Sequence, residues 1–353
     1  MAGVLTAFGT TPVWCANTPA SSPALGKWGG PPADKVVTIV PPIRAESPKD
    51  GVSPRIEFAA DATEGRLSVK VDGAEAFVYR YGTANELPFP CLYPVWSPSG
   101  KALTEQGNVF PWPHHESFWF VNDVKLDGQE PSAMYYSLYH RTDPNDWNSP
   151  FTSQIVQVEF LPQKQQVPDQ AEIGMKLLWQ KSPKIPLADQ EQHIRVVALG
   201  GGEYFLDMHY RLTASYGKLT FVGDNIHYAW PMARMQEAFS PEKGAQVTNS
   251  EGSSTVFFPE FQVAHWVDMS NTVSGVPEGL ALFSHSENPY PHKWFVHKHG
   301  MFGPRRIDAQ DGKPFALEKG ESIGTRVGVL IHKGDATAGK VAQRYADYIA
   351  GKL

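Results

Sequence analysis

The sequence predicts an all-β protein, a large antiparallel β-sandwich of jelly-roll or supersandwich type with one C-terminal helix. Three observations lead there. Short stretches of alternating apolar and polar residues recur along most of the chain, turn residues punctuate them, and one stretch alone carries helical periodicity. The 30 prolines and 31 glycines in 353 residues supply turns at the frequency that many short strands need.

Taken in order, Val36 to Pro41 reads as a short strand and Pro48 to Pro54 as a loop. From Arg55, RIEFAADATEGRLSVKVDGAEAFVYRYG holds three strands separated by Asp/Gly and Glu/Gly turns. The rhythm returns in SQIVQVEFLP, EIGMKLLWQK, HIRVVALGGGEYFLDMHYRLTAS, KLTFVGD, STVFFPEFQVAHWVDM and GLALFSHS. The helix runs from Ala336 to Ala350, where Val341, Tyr345, Tyr348 and Ile349 make an apolar stripe suited to packing on the sandwich edge. No internal repeat or low-complexity linker divides the chain. Residues 31–353 therefore read as one β-sandwich domain behind a signal-like or disordered tail at 1–30.

Charge and composition narrow the partners. A net charge of −6 with no block of Lys or Arg offers no footprint for nucleic acid. No run of 18 apolar residues provides a membrane-spanning helix. The start, MAGVLTAFGTTPVWCANTPASSPALG, is apolar and small, then Ser/Pro-rich, with no basic residue before Lys27. That pattern points to an extracytoplasmic protein, periplasmic or secreted. Cys15 and Cys91 are the only cysteines, and they leave the redox compartment open. There is no Gly-x-Ser-x-Gly elbow or phosphate-binding loop, and Gly200 to Gly202 precede a strand, so no nucleotide cofactor is expected.

Twelve histidines are present, several beside aromatic residues. On an extended strand His114 and Glu116 share one face, as do His297 and His299. Two such pairs on neighbouring strands can surround one divalent ion such as Zn, Fe, Mn or Ni, with His114, Glu116, His297 and His299 as ligands. The same residues serve metal-free acid/base chemistry, with His115 or His297 as the base. Arg234 follows an aromatic strand, and its planar fork of donors fits a carboxylate or a ketone oxygen; a salt bridge to Glu237 or Asp224 is the structural alternative. For substrate binding the candidates are Trp112, His114, Trp119, Arg141, His227, Asn288 and Trp294, since aromatic faces beside polar groups suit a sugar ring.

Four stretches carry a resemblance to a known family. They are YRYGTANELPFPCLYPVWSPSGKALTE, PWPHHESFWFVNDVKLDG, FVGDNIHYAWPMARM and GLALFSHSENPYPHKWFVHKHGMFG. Together they resemble a bacterial family named methane-oxygenase PmoA-like, a domain of unknown function, through its HH-x-x-x-W pattern, its Gly-Asp turn before an arginine strand and its His-x-x-Asn-Pro segment. Glu116 and Ser117 stand where that family more often has Arg-Gly, and Ser284 where it often has Asp. The resemblance implies a β-sandwich with a pocket, in a setting of sugar catabolism.

The function expected from these readings is a carbohydrate-active enzyme. It is a lyase or hydrolase acting on a glycoside or an oxidised (keto or uronic) sugar, with histidine acid/base chemistry assisted by Arg234 or a divalent metal ion. The rival readings are a non-catalytic sugar-binding module and a metal-dependent cupin-like oxygenase.

Overall fold

A computed structural model describes residues 55–82, 86–106, 114–146, 148–181, 185–222, 229–252, 262–288, 293–305 and 314–353. The expected tail, the strand at Val36 to Pro41 and the loop that follows lie outside the described residues.

Among the described residues, alternation and turn residues produce 21 strands and one α-helix. In chain order they are β1 (Ile56–Asp61), β2 (Arg66–Val71), β3 (Ala74–Arg80), β4 (Cys91–Val95), β5 (Phe118–Trp119), β6 (Val124–Leu126), β7 (Ser153–Phe160) and β8 (Lys164–Val167). Then come β9 (Gln170–Lys181), β10 (Ile185–Gly200), β11 (Glu203–Thr213), β12 (Leu219–Phe221), β13 (Met232–Arg234), β14 (Gln246–Asn249) and β15 (Gln262–Val263). The chain closes with β16 (Trp266–Val273), β17 (Val276–Ser284), β18 (Lys293–Val296), β19 (Met301–Pro304), β20 (Phe315–Leu317), β21 (Ser322–Lys333) and α1 (Val341–Ile349).

Two nine-stranded antiparallel sheets form the layers. The first has the order β1-β2-β3-β4-β5-β13-β19-β18-β15; the second runs β14-β16-β17-β21-β11-β10-β9-β7, with β8 also on β9. A small sheet, β20-β12-β6, stands beside them. Both large sheets feed one apolar core, to which β11 gives Leu206, Met208, Tyr210 and Leu212 at every second position. Buried polar groups tie the layers across that core: Tyr79 Oη donates to Gln157 Oε1 at 2.7 Å, and Tyr204 Oη donates to the Ala76 carbonyl at 2.6 Å. Such pairing is what makes their burial tolerable. The fold class read from the sequence is the one observed.

The helix departs from expectation in place and start. It lies on the outer face of the second sheet, where Val341 and Tyr348 join Val197, Phe205, Trp266, Ala281, Phe283 and Leu330 in a separate cluster. Its docking needs Gly328, because a Cβ there would sit 2.5 Å from Phe205 Cζ. It begins at Val341 because Asp335 Oδ1 accepts the N–H groups of Thr337 and Ala338 in a turn, and Lys340 then adopts φ +51°.

What positions the site is the middle of the first sheet. There β4 and β5 pair only at Cys91 and Trp119, and β13 meets β5 and β19 over two residues each. Short ladders leave the adjoining backbone free to turn and bring side chains from distant segments together.

Candidate functional site

Arg234 ends β13 and is the junction of three segments. Its N–H donates to the Ser117 carbonyl at 2.7 Å, its carbonyl accepts from Glu105 N–H at 3.1 Å, and it lies opposite Met301 in the ladder. The side chain is 4% exposed, yet Nε and Nη1 have no hydrogen-bond partner among the described residues. A guanidinium has five donors and stays charged in proteins. Burial lowers its pKa, and the carboxylates of Glu105, Glu242 and Glu237 act against that. Glu237 itself pairs with Lys243 at 3.0 Å, so it does not form the salt bridge that was the structural alternative for Arg234; Asp224 lies outside the described residues.

Beside Arg234, the β18–β19 hairpin turns through residues 297–300. Gly300 N–H donates to the His297 carbonyl at 2.9 Å, His297 N–H donates to the Met301 carbonyl at 2.8 Å, and Gly300 takes φ +83°. This is a hairpin loop closed by a glycine bulge. A Cβ at Gly300 would stand 3.0 Å from Met235 Cβ, so the left-handed backbone and the close approach both call for glycine. The turn places the His297 and His299 rings 4.5 Å apart. Nδ1 of His297 accepts the His299 backbone N–H at 3.3 Å, so the neutral ring carries its proton on Nε2. Burial, His299, Lys298 and Arg234 push the His297 pKa down to about 4, keeping it neutral near pH 7. His299 Nδ1 lies 2.7 Å from Glu242 Oε2, and Lys298 Nζ lies 3.2 Å from Glu242 Oε1.

The third segment brings His114 and His115. Their rings meet edge to face at 4.5 Å, and His115 stacks on Trp119 at 6.2 Å. His114 also packs on Tyr136, and its Nδ1 lies 3.1 Å from the hydroxyl of half-exposed Tyr139. Burial lowers His114 to about 4. His115 falls to about 2 through burial and then through His114, Arg234, His297 and His299, which places it within the electrostatic reach of all four. The site is thus one buried cation surrounded by neutral imidazoles, with Glu105 on its flank. Burial raises the Glu105 pKa against the pull of Arg234, and its Oε2 is buried without a partner among the described residues.

The model of a family of unknown function, DUF6807, matches residues 66–346, a span that takes in all three segments. The chain belongs to that family. No curated protein matches it. Among solved structures, it is similar to a GH36 alpha-galactosidase, AgaB, from Geobacillus stearothermophilus, at 7% identity and TM-score 0.43 over 80% of this chain and 42% of that one. It is also similar to a heparan sulfate lyase HepC mutant from Pedobacter heparinus, at 11% identity and TM-score 0.38 over 81% and 38%. A Glycoside Hydrolase Family 97 enzyme from Pseudoalteromonas sp. strain K8 follows at 8% identity and TM-score 0.34 over 78% and 33%. The chain spans less than half the length of each.

Within this DUF6807 chain several sequence expectations need correction. Residues 114–117 are not a strand, so the alternation argument for His114 and Glu116 does not apply. Glu116 instead faces Cys91, whose thiol lies 3.9 Å from Oε2, in a buried group with Gln106 and Arg80. Burial pushes its pKa up to about 7. The four residues read as metal ligands therefore do not assemble, and among the described residues no three His, Cys, Asp or Glu side chains converge as a metal site. Trp294 is fully buried, with Nε1 donating to the Ala264 carbonyl at 2.7 Å, and belongs to the core. Trp119 is likewise a core residue, backing His115.

Asn288 is committed to β21: its amide donates to the Arg326 carbonyl at 2.6 Å, and its Oδ1 accepts the Arg326 N–H at 2.8 Å. Arg141 lies over the Phe151 ring at 3.6 Å and donates to the Ser149 carbonyl, both contacts of its own loop. Trp112 and His227 lie outside the described residues. Glu105 and Glu242 were not singled out from the sequence. Glu105 closes the first of the family-like stretches, where no acid was assigned a role, and Glu242 sits in a Ser-Pro-Glu-Lys-Gly turn that reads as ordinary turn chemistry.

Proposed function

We propose that the site around Arg234 is the active site of a carbohydrate-active enzyme, a lyase or hydrolase acting on an oxidised sugar, keto or uronic. One observation carries the reading: a buried guanidinium keeps two N–H-bearing nitrogens, Nε and Nη1, with no hydrogen-bond partner among the described residues. Leaving charged donors unmet in a low-dielectric setting is costly, and a ligand carboxylate or carbonyl oxygen removes that cost. Held there, the sugar's carbonyl or carboxylate carbon withdraws electrons from its neighbour, and charge that builds on the oxygen as a proton leaves is stabilised by the same guanidinium. Neutral His297, with its proton on Nε2, suits hydrogen bonding to a sugar oxygen better than accepting a proton. The half-exposed Tyr139 ring beside His114 offers a face for the C–H side of the ring.

The test is turnover of a panel of uronic-acid oligosaccharides and keto sugars, read as an unsaturated product in the ultraviolet and as new reducing ends. Wild type is expected to convert at least one, with the Arg234→Met variant losing roughly 100-fold or more in kcat/KM. If Arg234→Met converts the same sugar as well as wild type, or if no acidic or keto sugar binds or reacts, the reading is wrong. Binding without product after long incubation would make the chain a sugar-binding module instead.

A further inference from the structure

We propose that His299, oriented by Glu242, is the proton-accepting base of the site; this rests on the enzymatic reading above and adds to it the residue that takes the proton. Two hydrogen bonds fix the chemistry of the turn. A backbone N–H can only donate, so His297 Nδ1, which receives it, is bare and Nε2 holds the proton. The Glu242 carboxylate lies 2.7 Å from His299 Nδ1, and its pKa is lowered by His299 first and by Lys298 after the small opposing effect of burial, so it is ionised and can only accept. His299 Nδ1 is therefore the protonated nitrogen, and Nε2 of the neutral ring carries the lone pair. Neighbouring imidazoles 4.5 Å apart thus stand in opposite tautomers.

A carboxylate that holds Nδ1–H and leaves Nε2 bare is the arrangement by which a histidine becomes a general base, because the carboxylate fixes the tautomer and stabilises the imidazolium that forms. His299 Nε2 has no hydrogen-bond partner among the described residues, and the side chain is 23% exposed, open to a ligand. It also lies close enough to His115 to depress that residue's pKa, and Glu242 acts on Arg234, so the dyad belongs to the same electrostatic group. The Glu242 backbone N–H donates to the Lys298 carbonyl at 3.1 Å, which holds the carboxylate-bearing turn against the histidine-bearing one. In the step, the C–H bond next to the sugar carbonyl or carboxylate breaks, its proton goes to His299 Nε2, and the electron pair passes into the enolate whose oxygen Arg234 holds. Glu242 is a positioning residue, since it acts through His299.

The test reads the tautomer directly and needs no substrate. Full-length protein labelled with 15N-histidine is examined by long-range 1H–15N correlation at about pH 8, where model imidazole is neutral, with His299→Gln used to assign the ring. Wild type is expected to show Nδ1 protonated and Nε2 bare at His299, and Glu242→Ala to lose that preference. Arg234→Met, which removes the substrate anchor, is expected to leave the tautomer unchanged, so failure of the enzymatic reading and failure of the dyad are told apart. A His299 protonated on Nε2 in wild type, or a tautomer indifferent to Glu242→Ala, overturns the proposal. On a sugar found to be converted, His299→Gln and Glu242→Ala should each lower kcat about 100-fold with KM little changed. Glu242→Gln, which keeps the shape of the turn, guards against loss by misfolding. Full activity of His299→Gln would also overturn it.

Discussion

His332 Nε2 lies 2.7 Å from Asp268 Oδ2, and neither side chain has exposed surface. The other ring nitrogen, Nδ1, lies 3.2 Å from the Lys333 carbonyl, which can only accept, so both nitrogens donate and the ring is an imidazolium. Ser270 Oγ donates to the second Asp268 oxygen at 2.9 Å. The pair ties β16 to β21 across β17 in the second sheet, whereas the candidate site is built on the first.

Asp268→Asn is expected to destabilise the fold by about 3–5 kcal/mol, because one partner of a buried ion pair is removed and the other stays. The check is the urea midpoint at constant m. Little change in the midpoint would mean that the imidazolium is not held by this carboxylate.

The pH dependence of stability has two opposing arms. Although burial alone would lower it, Asp268 and the hydrogen bonds raise the His332 pKa. Its contribution is therefore complete below the unfolded value of about 6.5 and fades as pH rises through the folded pKa. His114, His115 and His297 are depressed, to about 4, 2 and 4. They favour the fold above about 6.5, and that advantage is lost as pH falls toward those values. The depressed histidines, which also include His140, His209 and His285, outweigh His332 and the raised carboxyls of Glu105 and Glu116, so urea midpoints should fall on acidification below about pH 6.5, and His115→Gln should flatten that acid arm.

Arg234→Met should leave stability within about 1 kcal/mol of wild type or raise it, since a buried guanidinium with unmet donors is replaced by a side chain of similar length without them. Loss of sugar binding with a retained or higher melting temperature is the expected result. A fall of several kcal/mol would assign Arg234 to the architecture.

Gly328→Ala should cost about 1–3 kcal/mol, because its Cβ would meet the Phe205 ring at 2.5 Å and Tyr348 at 3.1 Å. Amide exchange in α1 is expected to rise more than in β11, showing that the helix is what gives way.

The layered β architecture was legible because exposure alternates along β2 and the second half of β11, and alternation is a local signal. Strand β21 was not read from the sequence. Its residues from Val327 to His332 are buried on both faces, under α1 on one side and in the core on the other, so no alternation marks them. The helix was placed five residues early, because composition does not reveal that Asp335 caps a turn before Lys340. In the site, Arg234 and the histidines stood out by type, while the geometry of the paired histidines was misread as strand. Residues 114–117 and 297–300 lie outside the strands, and Ser117, Lys298 and Gly300 bond to distant backbone, a property of the tertiary fold. Glu105 and Glu242 share that reason, since each meets its partner only through contacts many residues away.

The imidazole-bearing turn at 297–300 is secured at its base by β18 and β19 and at its tip by Glu242, with little of the main sheet depending on the identity of its side chains. That makes it an exchangeable cassette. Provided His299 and Gly300 are kept, residues 297 and 298 can be swapped among relatives while the scaffold keeps its melting point, and a grafting experiment between family members has a natural place to cut.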